Sequence, residues 1–179
     1  MTDLTGRVIW ITGLSGAGKS TLAKELVPRL RATGAPVVIL DGDDLREVFS
    51  AVSSDNHGRA QRLALARRYA ALCKLLAGQG LTVVIATISL FAEIHATNRI
   101  ELPGYFEIFL KIPLSELKRR DPKGIYRRYE GGELRNVAGL DLAVDEPKAA
   151  HFVAAFRPDL SAADLADQIM RRLGEGASS

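Results

Sequence analysis

Apolar positions along the chain follow two alternating rhythms. Short apolar runs recur: "VIWIT" (8–12), "PVVIL" (36–40), "LTVVIAT" (81–87), "YFEIFLKI" (105–112) and a weaker fifth, "HFVAAF" (151–156). Runs that are hydrophobic at consecutive positions suit strands covered on both faces. Between them the period lengthens. Leu22, Leu26 and Leu30 fall at helical spacing, with Ala23 and Val27 widening the stripe. Pro28 predicts a kink or an end to that first helix. In "GRAQRLALARRYAALCKLLAGQG" (58–80), Leu63, Ala66, Ala70, Cys73 and Ala77 share one stripe, closed by Gly78 and Gly80. "DLSAADLADQIMRRL" (159–173) reads as a final helix capped by Ser161. The alternation predicts an α/β fold, a parallel sheet with helices on both faces, as one domain over 1–173. Residues 174–179 would be a frayed tail. In such sheets ligands gather beyond the carboxyl ends of the strands.

Composition adds bounds. Of 179 residues, 47% are hydrophobic, enough for a sizeable core. The formal net charge of +3 suits anionic ligands, yet the basic residues are interleaved with 21 acids, so no nucleic-acid partner is expected. Cys73 is the only cysteine and cannot form an internal disulfide; within an apolar helical stripe it reads as a buried structural thiol. His57, His95 and His151 lack metal-ligand spacing, so no zinc site is expected. No signal peptide, repeat or membrane-spanning run is evident, which makes the cytoplasm the expected location.

The first strand runs into "GLSGAGKS" (13–20), a match to G-x-x-x-x-G-K-[ST]. Its place between a strand and a helix N-terminus is what phosphate binding requires, because backbone N–H groups and the helix dipole converge there. Gly13, Gly16 and Gly18 allow the backbone to bend around an anion, with Ser15, Ala17 and Thr21 completing the cradle. Lys19 would reach the β- and γ-phosphates of ATP, and Ser20 would offer its hydroxyl to Mg²⁺.

The other strand ends are polar too. After the second comes "DGDDLR" (41–46), where Asp41 and Asp43 bracket a glycine opposite the phosphate loop. One can take a proton from an attacking hydroxyl, and either can bind Mg²⁺ directly or through water. Arg46 follows and could pair with an anionic acceptor. No acidic residue follows the third strand, so metal chemistry falls on Ser20, Asp41 and Asp43. The fourth leads into 112–134, a basic helix and loop with Arg119, Arg120, Lys123, Arg127 and Arg128. Such a segment can close over phosphates and exclude water. Arg120 and Lys123 are its functional candidates, while Arg127 and Arg128 read as a solvated face.

On "GLSGAGKST", "LDGDDLR", "ISLF" and "RDPKGIY", the chain resembles adenylylsulfate kinases, which move the γ-phosphoryl of ATP to the ribose 3′-hydroxyl of adenosine 5′-phosphosulfate. The resemblance implies a P-loop kinase fold, Mg²⁺-ATP and a homodimer. It implies that Asp41 is the catalytic, metal-associated aspartate and that Arg46 and Arg62 bind the acceptor's phosphosulfate and ribose region. Arg120 and Lys123 would belong to a lid near ATP. Ile88 and Ser89 enter as acceptor residues on this ground alone.

The departures from the family pattern gather where the acceptor's base should lie. Two phenylalanines clamp the adenine in that family. Here His57 stands nearest the first, in a lengthened "SSDNHGRAQR", and Val137 replaces the second. Leu65 takes the place of an asparagine, and "ISLFAE" lacks the family's proline and arginine. Each lost stacking platform is worth about 1–3 kcal/mol. In "RYAALCKLLAGQGLTVVIATISLF" and "VAGLDLAVDEP" the chain resembles a branch that phosphorylates cytidine diphosphoramidate. That acceptor is slightly favoured over adenylylsulfate. A catalytically inert nucleotide-binding module is the non-enzyme alternative. A regulatory GTPase is disfavoured because N-K-x-D is missing.

Overall fold

The computed structural model describes residues 6–50 and 58–175. Five strands form one parallel sheet in the order β2-β3-β1-β4-β5: β1 Arg7–Thr12, β2 Val37–Asp41, β3 Thr82–Thr87, β4 Phe106–Lys111 and β5 Phe152–Ala155. The helices are α1 Lys19–Ala32, α2 Gly42–Ser50, α3 Arg59–Ala77, α4 Ala92–Glu101, α5 Leu114–Arg120, α6 Ile125–Glu130 and α7 Ala162–Glu175. All five predicted strands are present, and the weak fifth forms an edge.

The consecutive hydrophobicity of β1 is explained by burial on both faces. Ile9 and Ile11 pack with Leu22, Leu26, Ile108 and Ile169 beneath α1 and α7. Val8 and Trp10 point the other way, into a second core with Tyr69, Cys73, Val83 and Ile94. Register then lines up the strand ends. Thr12 pairs with Thr87, and Asp41 pairs with Ala86, so the carboxyl ends of β1, β2 and β3 form one rim.

Several boundaries differ from expectation. Pro28 neither ends nor breaks α1, which continues to Ala32. It lies on the exposed face, and so does Lys24, whose carbonyl loses its helical partner to the proline. Leu22, Leu26, Val27 and Leu30 meanwhile anchor the helix by burial. "GDDLREVFS" is helical rather than an acidic turn, and α4 was not anticipated. The last helix continues through Glu175, two residues beyond the expected boundary, and Ser161 caps it through the Asp164 N–H at 3.1 Å. Tyr69, rather than Ala70, is buried on the stripe of α3.

One buried acid lies inside the second face. Glu107 on β4 is fully buried and accepts from His95 Nδ1 at 2.6 Å, Arg99 at 2.8 Å and the Tyr105 hydroxyl at 3.0 Å. His95 Nε2 donates to the carbonyl of Asp145 at 3.1 Å, tying α4 to a distant segment. No described helix is long and apolar enough to cross a membrane.

Candidate active site

The loop 13–18 turns at the carboxyl end of β1, with Gly16 and Gly18 at φ 78° and 96°. A side chain would be strained at either position. Helix α1 starts immediately, at Lys19, and no side chain caps it. Its first N–H groups therefore remain available to an anion. Tyr126 of α6 donates its hydroxyl to Ser15 O at 2.9 Å and so braces the loop from the basic segment.

Lys19 Nζ donates to Leu14 O at 2.8 Å. Burial depresses its pKa to about 8; Lys123 and Arg46 act in the same direction, while Asp43 and Asp41 oppose them. Ser20 Oγ hydrogen-bonds Asp41 Oδ2, which brings together the loop hydroxyl and the carboxylate at the end of β2. The other oxygen of Asp41 accepts the Asp43 N–H at 2.9 Å. These are hard oxygen donors side by side, a set that fits a small cation completed by phosphate oxygens and water. Among the described residues no group of three or more His, Cys, Asp or Glu side chains could hold a metal by itself.

Asp43 turns elsewhere. Its carboxylate pairs with Lys123 and, at 3.5 Å, with Arg46. Partial burial raises its pKa, but these cations outweigh that and hold it below the ordinary value. The structure thus places Asp41 on Ser20 and Asp43 on the basic segment, rather than setting both carboxylates on one point. Arg120 is held by Glu116 at 2.7 Å, reaches Gly16 O at 3.5 Å and lies 5.2 Å from the centroid of Phe156. It lines a cavity of 220 Å³ with Gly18, Thr21, Ile112, Phe156 and Leu165. A larger cavity, 440 Å³, opens at the amino ends of β1 and β4 beside Arg7 and His151 and touches none of the predicted site residues.

On the other flank, Arg62 donates to Asn136 O at 2.8 Å. Burial and the neighbouring Arg46 lower its pKa, with Asp141 opposing. An anion shared by the two arginines would relieve that mutual repulsion. Val137 is buried, its N–H bonded to Asp141 Oδ1 at 2.7 Å. Ser89 is buried at φ 28°, with its Oγ 2.8 Å from Thr87 Oγ1. The Ile88 carbonyl accepts from Thr12 Oγ1. His57 lies outside the described residues. Sequence reasoning missed Phe156 and Tyr126. The first immediately follows β5, where the strand-end rule points, and the second stands within "RDPKGIY".

Residues 5–155 match the family model described as adenylylsulphate kinase. A cytidine diphosphoramidate kinase of Campylobacter jejuni is 39% identical over 142 residues, covering 79% of this chain and 82% of that one. An adenylyl-sulfate kinase of Pseudomonas aeruginosa is 41% identical over 142 residues, covering 78% and 71%. The structure of the Mycobacterium tuberculosis APS kinase CysC in complex with AMPPNP and APS superposes with a TM-score of 0.83 at 33% identity, covering 95% of this chain and 98% of that one. The two kinds of relative stand at similar identity, so they do not separate the acceptors. The chain belongs to the adenylylsulphate kinase family of ATP-dependent phosphotransferases.

Proposed function

We propose that this kinase transfers the γ-phosphoryl of ATP to the ribose 3′-hydroxyl of a small activated nucleotide, with cytidine diphosphoramidate favoured over adenylylsulfate. The observation that carries the reading is the pairing of an intact donor end with an altered acceptor end. Ser20 and Asp41 meet below the phosphate loop, and the family resemblance assigns to the buried Val137 the position where an adenine-stacking ring would stand.

Each residue then has a task. The loop N–H groups and Lys19 hold the β- and γ-phosphates. Ser20 and Asp41 would hold Mg²⁺, which when bound neutralises charge on the phosphate oxygens. Arg46 and Arg62 orient the anionic group of the acceptor. The ribose 3′-oxygen attacks the γ-phosphorus, the bond to the β–γ bridging oxygen breaks to release ADP, and the hydroxyl proton passes to Asp41. Arg120 and Lys123, on and just beyond α5, screen the developing charge and exclude water.

Adenylylsulfate is the second reading, supported by the 41% identity to an adenylyl-sulfate kinase. A coupled assay of ADP release, with both acceptors at matched concentration, distinguishes them. The first reading requires the higher kcat/KM with cytidine diphosphoramidate. Efficient turnover of adenylylsulfate with none of the cytidine compound overturns it, and ATP consumption with neither acceptor removes both. A homodimer, the assembly implied by the family resemblance, is checked by light scattering.

A further inference from the structure

The first turn of α3 carries two arginines, Arg59 and Arg62, and both hold the segment 136–145. Arg62 ties its beginning through Asn136 O; Arg59 ties its end through Asp145 Oδ2 at 2.9 Å and Ala143 O at 3.4 Å. Val137 lies between these anchors. Arg59 also stands 3.7 Å from Glu93 Oε2, and its guanidinium carbon is 5.0 Å from the centroid of the buried Phe91 ring. Asp145 is itself fixed: its Oδ2 accepts the Ala92 N–H at 3.1 Å, its N–H donates to Leu90 O at 3.0 Å, and its carbonyl accepts from His95. The result is a planar cation supported from below by an aromatic ring and pinned at its edges. Its side chain nonetheless keeps 39% exposure.

We infer that the guanidinium plane of Arg59 is the platform on which the acceptor's base stacks, in place of the two missing aromatic rings. This inference rests on the proposed acceptor site. Guanidinium planes stack on nucleobases as aromatic rings do. The rim N–H groups of Arg59 face Asp145, Ala143 and Glu93, so its contribution is a flat face rather than hydrogen-bond readout. Phe91 beneath and Asp145 at the edge hold that face without the base, so little ordering remains when the base arrives. The plane is also small, closer in area to a pyrimidine than to a purine.

The test measures base recognition by binding, independently of turnover. With saturating AMPPNP on the donor site, the dissociation constants of cytidine 5′-monophosphate and ribose 5-phosphate are compared. Their ratio isolates the base, since both carry the same ribose and phosphate. In the wild-type protein the nucleotide should bind about tenfold more tightly, the scale of one stacked base. In Arg59→Ala the ratio should fall to about one. Arg59→Lys keeps a cation for Asp145 but has no plane, so it should behave like Arg59→Ala while melting like the wild type. A wild-type ratio already at one, or a ratio unchanged in Arg59→Lys, overturns the inference. Failure to phosphorylate either acceptor would overturn the proposed reaction without altering this ratio.

Discussion

Lys19 offers the most direct quantitative test of the donor site. Its ammonium is partly buried; desolvation, then Lys123 and Arg46, outweigh Asp43 and Asp41 and depress its pKa from 10.5 to about 8. A shift of that size corresponds to about 3 kcal/mol favouring the neutral amine. The unfolded chain holds this proton more tightly than the folded protein does. The cost is therefore present in full below pH 8 and is relieved as pH rises from about 8 to 10.5. A bound triphosphate supplies the anionic partner that burial denies, so binding above pH 8 must take up a proton. Titration calorimetry with Mg²⁺-ATP, without acceptor and in buffers of different ionisation enthalpy, measures both affinity and uptake. Between pH 7 and pH 9 the Kd should rise about tenfold, with uptake approaching one proton at pH 9. Lys19→Met should erase that slope along with most of the affinity. It should also raise the melting temperature of the nucleotide-free protein at pH 7. The hydrogen bond to Leu14 O is lost in the variant, so a net gain of about 1–2 kcal/mol, roughly 2–6 °C, is expected. Affinity that stays flat from pH 7 to 9 with no proton uptake, or a nucleotide-free Met variant that melts lower, would refute the reasoning.

Two further outcomes follow from the same geometry. Asp41→Asn should lower kcat by at least about 100-fold, the range of a lost general base, while Mg²⁺-ATP binding by calorimetry changes far less; near-normal turnover would remove Asp41 from that role. Glu107→Leu should destabilise the fold by about 2–4 kcal/mol in chemical denaturation, because buried His95 and half-buried Tyr105 lose their acceptor. Arg99 can turn to water, which keeps the loss below that of a fully enclosed pair. A change under about 1 kcal/mol would show that the acid contributes nothing net to stability.

What the sequence revealed and what it hid have physical causes. β1, the loop and α1 were legible because Val8–Thr12 and Leu22, Leu26 and Leu30 keep clean periods on either side of the glycines. Helix α4 was hidden because its buried face includes His95 and Asn98, which read as polar positions. Helix α2 was masked by Asp and Gly, whose turn chemistry outweighs a nine-residue stripe in a linear reading. The candidate site divides in the same way. The phosphate loop and "DGDDLR" are local patterns. The pairing of Asp43 with Lys123 spans 80 residues, and that of Arg59 with Asp145 spans 86. No periodicity encodes such separations; only the folded sheet brings them together.

The strand order has a consequence for how such a protein can change over generations. β1 sits at the centre, with β3 and β2 to one side and β4 and β5 to the other. Arg120 and Phe156 belong to the β4–β5 flank, whereas Arg46, Arg59 and Arg62 belong to helices that follow or precede strands of the β2–β3 flank. The two flanks are joined where Lys123 pairs with Asp43 and where Arg59 and Arg62 hold residues 136–145, so a substitution on one flank reaches the other through those contacts. A lineage that exchanges one bound molecule for another must therefore change both sides of β1 in step.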